Sequence, residues 1–84
     1  MVSFKNVNTK DYRKIKRGLK KQFKTFPCTS NDRSIIETFD IVSFDSKFPV
    51  TYYKTKILLV QGDLSNKHSK PVIEFIQESL KIDF

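Results

Sequence analysis

Cysteine, histidine, tryptophan and long apolar runs are scarce or absent in this chain of 84 residues. One cysteine (Cys28) cannot form a disulfide within the chain, and with a single histidine (His68) it does not make a zinc-binding set. No apolar run approaches the roughly 20 residues that span a bilayer, and no signal-peptide pattern is present. We therefore expect a cytoplasmic protein without a metal, a cofactor or a membrane partner.

Catalytic constellations are missing as well. Glu37 and Asp40 would point to opposite faces of a strand, and the sequence contains neither a D-x-D nor an E-x-x-H spacing. Cys28 follows Pro27 in a predicted loop with no histidine near it in sequence, and His68 precedes a predicted helix as a surface residue. We expect no enzymatic activity.

Aromatic residues are plentiful by contrast, with eight phenylalanines and three tyrosines. A chain of this length buries roughly 60–65% of the surface that its unfolded form exposes, and each buried aromatic ring removes about 150–250 Å² from water. The composition predicts a single small domain over residues 1–84, either whole or excised from a longer protein.

Acidic residues are nearly absent from the first part of the chain. Residues 1–24 hold nine lysines and arginines and one acid, Asp11, whereas residues 25–84 hold seven basic and eight acidic residues. The excess positive charge is therefore confined to one segment. Such asymmetry predicts an acidic partner: nucleic acid, an anionic membrane or an acidic protein.

The basic segment has the pattern of an amphipathic helix. Asn8 or Thr9 can cap its start, and Pro27 is expected to end it after Phe26. Gly18 within it costs about 1 kcal/mol relative to alanine, which suggests a close backbone approach or simple tolerance. Three- and four-residue spacings define its apolar stripe: Tyr12, Ile15, Leu19, Phe23 and Phe26.

Three strands and a second helix are predicted after a loop at 28–33. The strands are "SIIETFDIVSF" (34–44), "VTYYK" (50–54) and "KILLVQG" (56–62), with a turn at 45–49 and a hairpin connection at Lys54–Lys56. Pro71 suits the first turn of the last helix, whose stripe comprises Val72, Ile73, Ile76 and Leu80. We predict an α+β fold in the order α-β-β-β-α, after an extended lead-in at 1–8. Its antiparallel sheet has three strands, or slightly more, one face covered by the helices and the other open.

Part of the last strand resembles a pattern from the N-terminal domain of bacterial ribonuclease HIII, in which a tyrosine and a Ser-Gly turn lead into a Leu-Leu-Val-Gln-Gly strand. The matching residues are Tyr53, Leu58, Leu59, Val60, Gln61 and Gly62. The lead-in "FKNVN" (4–8) is similar to the start of the RNase LS-type toxins of toxin–antitoxin systems. The close match covers about ten residues.

The resemblance implies a small domain similar to the TATA-binding protein, in which helices back a curved antiparallel sheet. In ribonuclease HIII that domain grips a nucleic-acid duplex through its sheet, and catalysis resides in another domain. Lys56 occupies the position where the pattern has glycine, which usually supplies a positive φ. This departure leaves the turn type open.

We therefore expect a non-catalytic nucleic-acid-binding domain of bacterial or phage type, for RNA or for a duplex. Tyr53, Lys54 and Gln61 would add contacts from the open sheet face, although that face lies away from the basic helix. The phosphate-binding residues are predicted to be Lys10, Arg13, Lys14, Arg17, Lys20, Lys21 and Lys24.

A protein-interaction module is the alternative, for instance a phage or plasmid inhibitor or an antitoxin that binds an acidic protein surface. An edge of the sheet could also recruit a strand from that partner. A role at a membrane surface ranks third, because the apolar stripe of the first helix is needed for the core.

Overall fold

A computed structural model describes residues 2–63, 65 and 67–81. The described strands form one antiparallel sheet in the order β1-β5-β4-β3-β2. The chain is therefore α+β, as predicted, with a helix near each end. The elements are β1 (Val2–Phe4), α1 (Thr9–Gln22), β2 (Lys24–Cys28), β3 (Ile35–Ser43), β4 (Ser46–Tyr53), β5 (Leu58–Val60) and α2 (Ser69–Lys81).

The sheet has five strands, and the predicted order α-β-β-β-α lacks the first two of them. β1 lies within the predicted extended lead-in, of which Met1 falls outside the described residues. It is only three residues long, too short to show a period-two pattern, and it is held by pairing with β5. Pairing with β5, and not a pattern in the sequence, therefore makes this segment a strand.

β2 replaces the predicted end of the first helix. α1 stops at Gln22, where Phe23 turns into extended backbone, and β2 then pairs with β3. The prediction that the helical stripe continues through Phe26 is wrong, and Cys28 lies in β2 and not in a loop. Pro27 is tolerated there because β2 is an edge strand.

The turns also differ from the prediction in detail. β4 begins at Ser46, so the β3–β4 turn is at Phe44–Asp45 and not at 45–49. The short hairpin between β4 and β5 is confirmed: the Tyr53 N–H donates to the Ile57 carbonyl at 2.9 Å. Lys56 in this turn has a φ of 66°.

Both helices pack on one face of the sheet and share a single core. α1 contributes Tyr12, Ile15 and Leu19 to it, and α2 contributes Val72 and Ile76. The sheet side of this core consists of Phe39, Ile41, Phe48, Val50, Tyr52, Leu58 and Val60. This face of the sheet therefore positions α1.

The two helices meet at Gly18. A Cβ atom added there would lie 2.1 Å from Cζ of Phe75 on α2, so the glycine marks a close approach between helices. Neither helix of the described residues is long and apolar enough to cross a membrane.

Candidate functional site

α1 is held in place by its cap and by its buried stripe. The Asp11 N–H donates to Oδ1 of Asn8 at 2.8 Å, so Asn8 is the N-cap. Tyr12, Ile15 and Leu19 are at most 4% exposed. The remaining positions must face away from the sheet or toward its margins, which fixes the direction of the lysines and arginines.

The outward side of α1 is almost entirely basic. We call six exposed side chains the basic face: Lys10, Arg13, Lys14, Arg17, Lys20 and Lys21. They recur at spacings of three and four along one 14-residue helix. Within the described part of the chain, no acidic side chain forms an ion pair with Arg13, Arg17 or Lys21.

Lys16, also on α1, is tied to the sheet. Its Nζ lies 2.5 Å from Oε1 of Glu37 on β3, and the Tyr12 hydroxyl donates to the same oxygen at 2.5 Å. Burial raises the pKa of Glu37, but hydrogen bonds from Lys16 and Tyr12 outweigh it and hold that pKa below its usual value. Burial and the neighbouring carboxylate raise the pKa of Tyr12. Lys16 therefore anchors α1 to the sheet.

Tyr52 and Tyr53 face opposite sides of β4, as their alternation predicts. Tyr52 is 1% exposed, stacks on Tyr12 with ring centroids 4.1 Å apart, and donates its hydroxyl to the Val7 carbonyl at 2.5 Å. Tyr53 is only partly buried and lies on the face without helices. Of these two tyrosines, Tyr53 is thus the one accessible from the open sheet face.

The predicted site residues separate into two surfaces. Gln61 continues the line of Leu59 on the open face, where its N–H donates to the Pro49 carbonyl at 2.8 Å, and Lys54 is exposed in the β4–β5 turn. The sheet lies between these groups and the basic face of α1. Lys24 begins β2 at the sheet edge and, paired with Val42, points to the open face.

The open face itself is mixed in character. Lys47 pairs with Asp40 across β3 and β4 at 3.2 Å, so the charge near the middle of this face is balanced. Thr38 donates to the Val50 carbonyl at 3.1 Å. Phe26 is 52% exposed on β2. The basic face of α1 is therefore the more strongly positive of the two surfaces.

A groove between α1 and β2 was not predicted from the sequence. It is lined by lysines and by aromatic and proline side chains, and we call it the α1–β2 groove. Its existence depends on β2, whose residues continue the helical spacing of α1 in sequence. Pro27 was the available signal, because a proline that cannot lie in a helix interior is compatible with an edge strand.

No family model, curated protein or solved structure matches this chain. Its function must be inferred from the surfaces described above.

Proposed function

We propose that this chain is a nucleic-acid-binding domain, without catalytic activity of its own, that neutralises backbone phosphates with the basic face of α1. The observation that carries the proposal is the density of exposed cations on one helix whose other side is buried in the core. Lys and Arg contacts of this kind bind phosphates without reading sequence.

The composition of the basic face is costly for the free protein. Arg13 and Arg17 are four residues apart, and like-charge pairs at this spacing destabilise a helix by about 0.2–0.5 kcal/mol each. A helix with a purely structural role would gain from glutamates at such positions. A polyanion removes this repulsion, and the buried stripe of α1 leaves no apolar side for insertion into lipid.

Lys24 extends the positive charge to the sheet edge. A nucleic acid that follows it around β2 would reach the open face, where Tyr53, Lys54 and Gln61 would add contacts. The resemblance of residues 53–62 to the ribonuclease HIII domain is a second support for this proposal, and it suggests a substrate-binding part of a larger ribonuclease or toxin.

A protein partner with an acidic surface is the second candidate. The exposed Phe26 and Ile36, 52% and 50% accessible, favour it because apolar anchors dominate protein interfaces. Such a partner would dock on a face and not on an edge: β1 is three residues long, and Pro27 lacks an N–H on β2. This reading predicts binding that survives moderate salt.

Charge reversal tests the proposal. The variant Arg13→Glu/Arg17→Glu/Lys20→Glu should lose about 100-fold or more in affinity for RNA and DNA of every sequence, because it removes three phosphate contacts and adds three repulsions. Fluorescence anisotropy with single-stranded, double-stranded and hybrid oligonucleotides measures this loss.

The matched control changes the net charge equally on other surfaces. Arg33, Lys67 and Lys70 are exposed and lie outside the basic face, so Arg33→Glu/Lys67→Glu/Lys70→Glu should retain most of the affinity. Equal losses of affinity in both variants would show that binding depends on the net charge of the protein and not on the position of the cations. Undiminished binding by the first variant would refute the assignment to α1.

A further inference from the structure

The α1–β2 groove combines positive charge with an apolar floor. It has a volume of about 730 Å³ and lies beside the C-terminal half of α1. Lys20 belongs both to it and to the basic face, so the two surfaces are continuous. Two cations of α1, Lys16 and Lys20, line the groove, and Lys24 borders it at the sheet edge with its side chain toward the open face. The apolar lining includes Phe23, Pro27 and Phe39.

The floor is open because the helix does not cover the edge strand. Thr25 and Pro27 pair with Ile41 and Phe39, so they lie on the helix-covered side of the sheet. Ile41 and Phe39 are buried in the core, whereas Thr25 is partly exposed and Pro27 is exposed. A flat apolar group could therefore rest at this edge without displacing the core.

Glu37 adds a hydrogen-bond acceptor to the groove. Lys16 and Tyr12 both contact Oε1, yet the side chain remains 37% exposed and lines the groove. A carboxylate oxygen accepts hydrogen bonds from the N–H groups of bases. A nucleotide has a group for each of these features. Its flat ring fits the apolar floor, its N–H donors fit Glu37, and its phosphate fits the lysines.

We propose that the α1–β2 groove holds an unpaired base of a single-stranded segment whose phosphates lie along Lys20 and the basic face. The inference rests on the proposed function and narrows its ligand. Bases within a duplex are stacked and paired, so their ring faces cannot reach the groove, whereas single strands present splayed bases to aromatic side chains.

Abasic DNA provides the direct test. A short single-stranded DNA is compared with a DNA of the same length whose central bases are missing but whose phosphates remain. The base-bearing strand should bind at least about five-fold more tightly, the lower limit of what one stacked base contributes.

A conservative substitution tests whether the tighter binding of the base-bearing strand arises in the groove. Phe23→Leu keeps an apolar side chain and the charge but removes a ring from the groove, so it should lower the affinity of the base-bearing strand toward that of the abasic one. Phe44→Leu is the matched control, because Phe44 is 79% exposed and does not line the groove. Thermal unfolding of both variants checks that they fold.

NMR keeps the proposal testable even if Phe23→Leu does not fold. Backbone amides of Thr25 and Thr38 in the wild-type protein should shift with the base-bearing strand and much less with the abasic one. Equal binding and equal shifts would overturn the groove assignment and leave the basic face intact. Absence of binding by both strands would also overturn the groove assignment, and absence of binding by single-stranded, double-stranded and hybrid oligonucleotides alike would refute the proposed function. An acidic aromatic peptide that shifts these amides when DNA does not would assign the groove to a protein partner.

Discussion

At the scale of single residues, Lys56 has a left-handed backbone conformation that a lysine rarely adopts. Its φ of 66° closes a three-residue turn between β4 and β5, and its carbonyl accepts the Val7 N–H at 2.9 Å. Three-residue hairpins use this left-handed position for glycine, since other residues pay a steric penalty there.

Lys56→Gly should therefore stabilise the domain by about 0.5–1 kcal/mol, the steric relief exceeding the added entropy of the unfolded chain. The midpoint of urea unfolding should rise with an unchanged slope. Lys54→Gly in the same turn is the control, because Lys54 does not have a positive φ, and it should bring no gain. A fall in the midpoint for Lys56→Gly would contradict this account of the turn.

The sequence leaves the turn type at Lys56 open, because lysine stands where the resembling pattern has glycine. Phe44 gives no local signal at all. It has a φ of 56° at the β3–β4 turn and stacks on His68 with centroids 4.3 Å apart, a contact between distant parts of the chain. Neither positive φ was predicted from the sequence, because both residues lie in turns between paired strands.

At the scale of elements, the crossing of α1 and α2 depends on Gly18. Alanine would normally be favoured by about 1 kcal/mol at a helix interior position. Here its methyl group would collide with the Phe75 ring, and overpacking costs about 1–3 kcal/mol.

The effect of Gly18→Ala should consequently depend on residue 75. In the wild-type background it should destabilise the domain by about 1 kcal/mol, and in a Phe75→Ala background it should stabilise it by a similar amount. Urea unfolding of the four proteins in this double-mutant cycle measures the reversal. Additive effects would show that the helices do not touch at this point.

Elements with a sustained period were predictable, and those defined by tertiary pairing were not. The cap at Asn8, the buried stripe of α1 and the strand β3 follow from spacing and from β-branched composition. β2 continues the spacing of a helix through Phe26, and only its pairing with β3 makes it a strand. For the same reason the basic face could be predicted from sequence, whereas the α1–β2 groove could not.

At the scale of the whole molecule, positive charge is concentrated on one side. The sheet separates the basic face from Tyr53 and Gln61, while Lys24 stands at the edge between them. The chain has a net charge of +7, most of which arises from α1 and its flanks. We therefore assign the main attraction for a polyanion to one helix and a secondary part to the sheet.

The salt dependence of binding to single-stranded DNA tests this central claim most directly. Each neutralised phosphate contributes about −0.7 to the slope of log K against log salt concentration, so the six cations of the basic face predict a slope of about −4. In Arg13→Glu/Arg17→Glu/Lys20→Glu the slope should be shallower by about 2. Binding with a slope near zero, or with the same steep slope in that variant, would contradict the claim that α1 binds the phosphates.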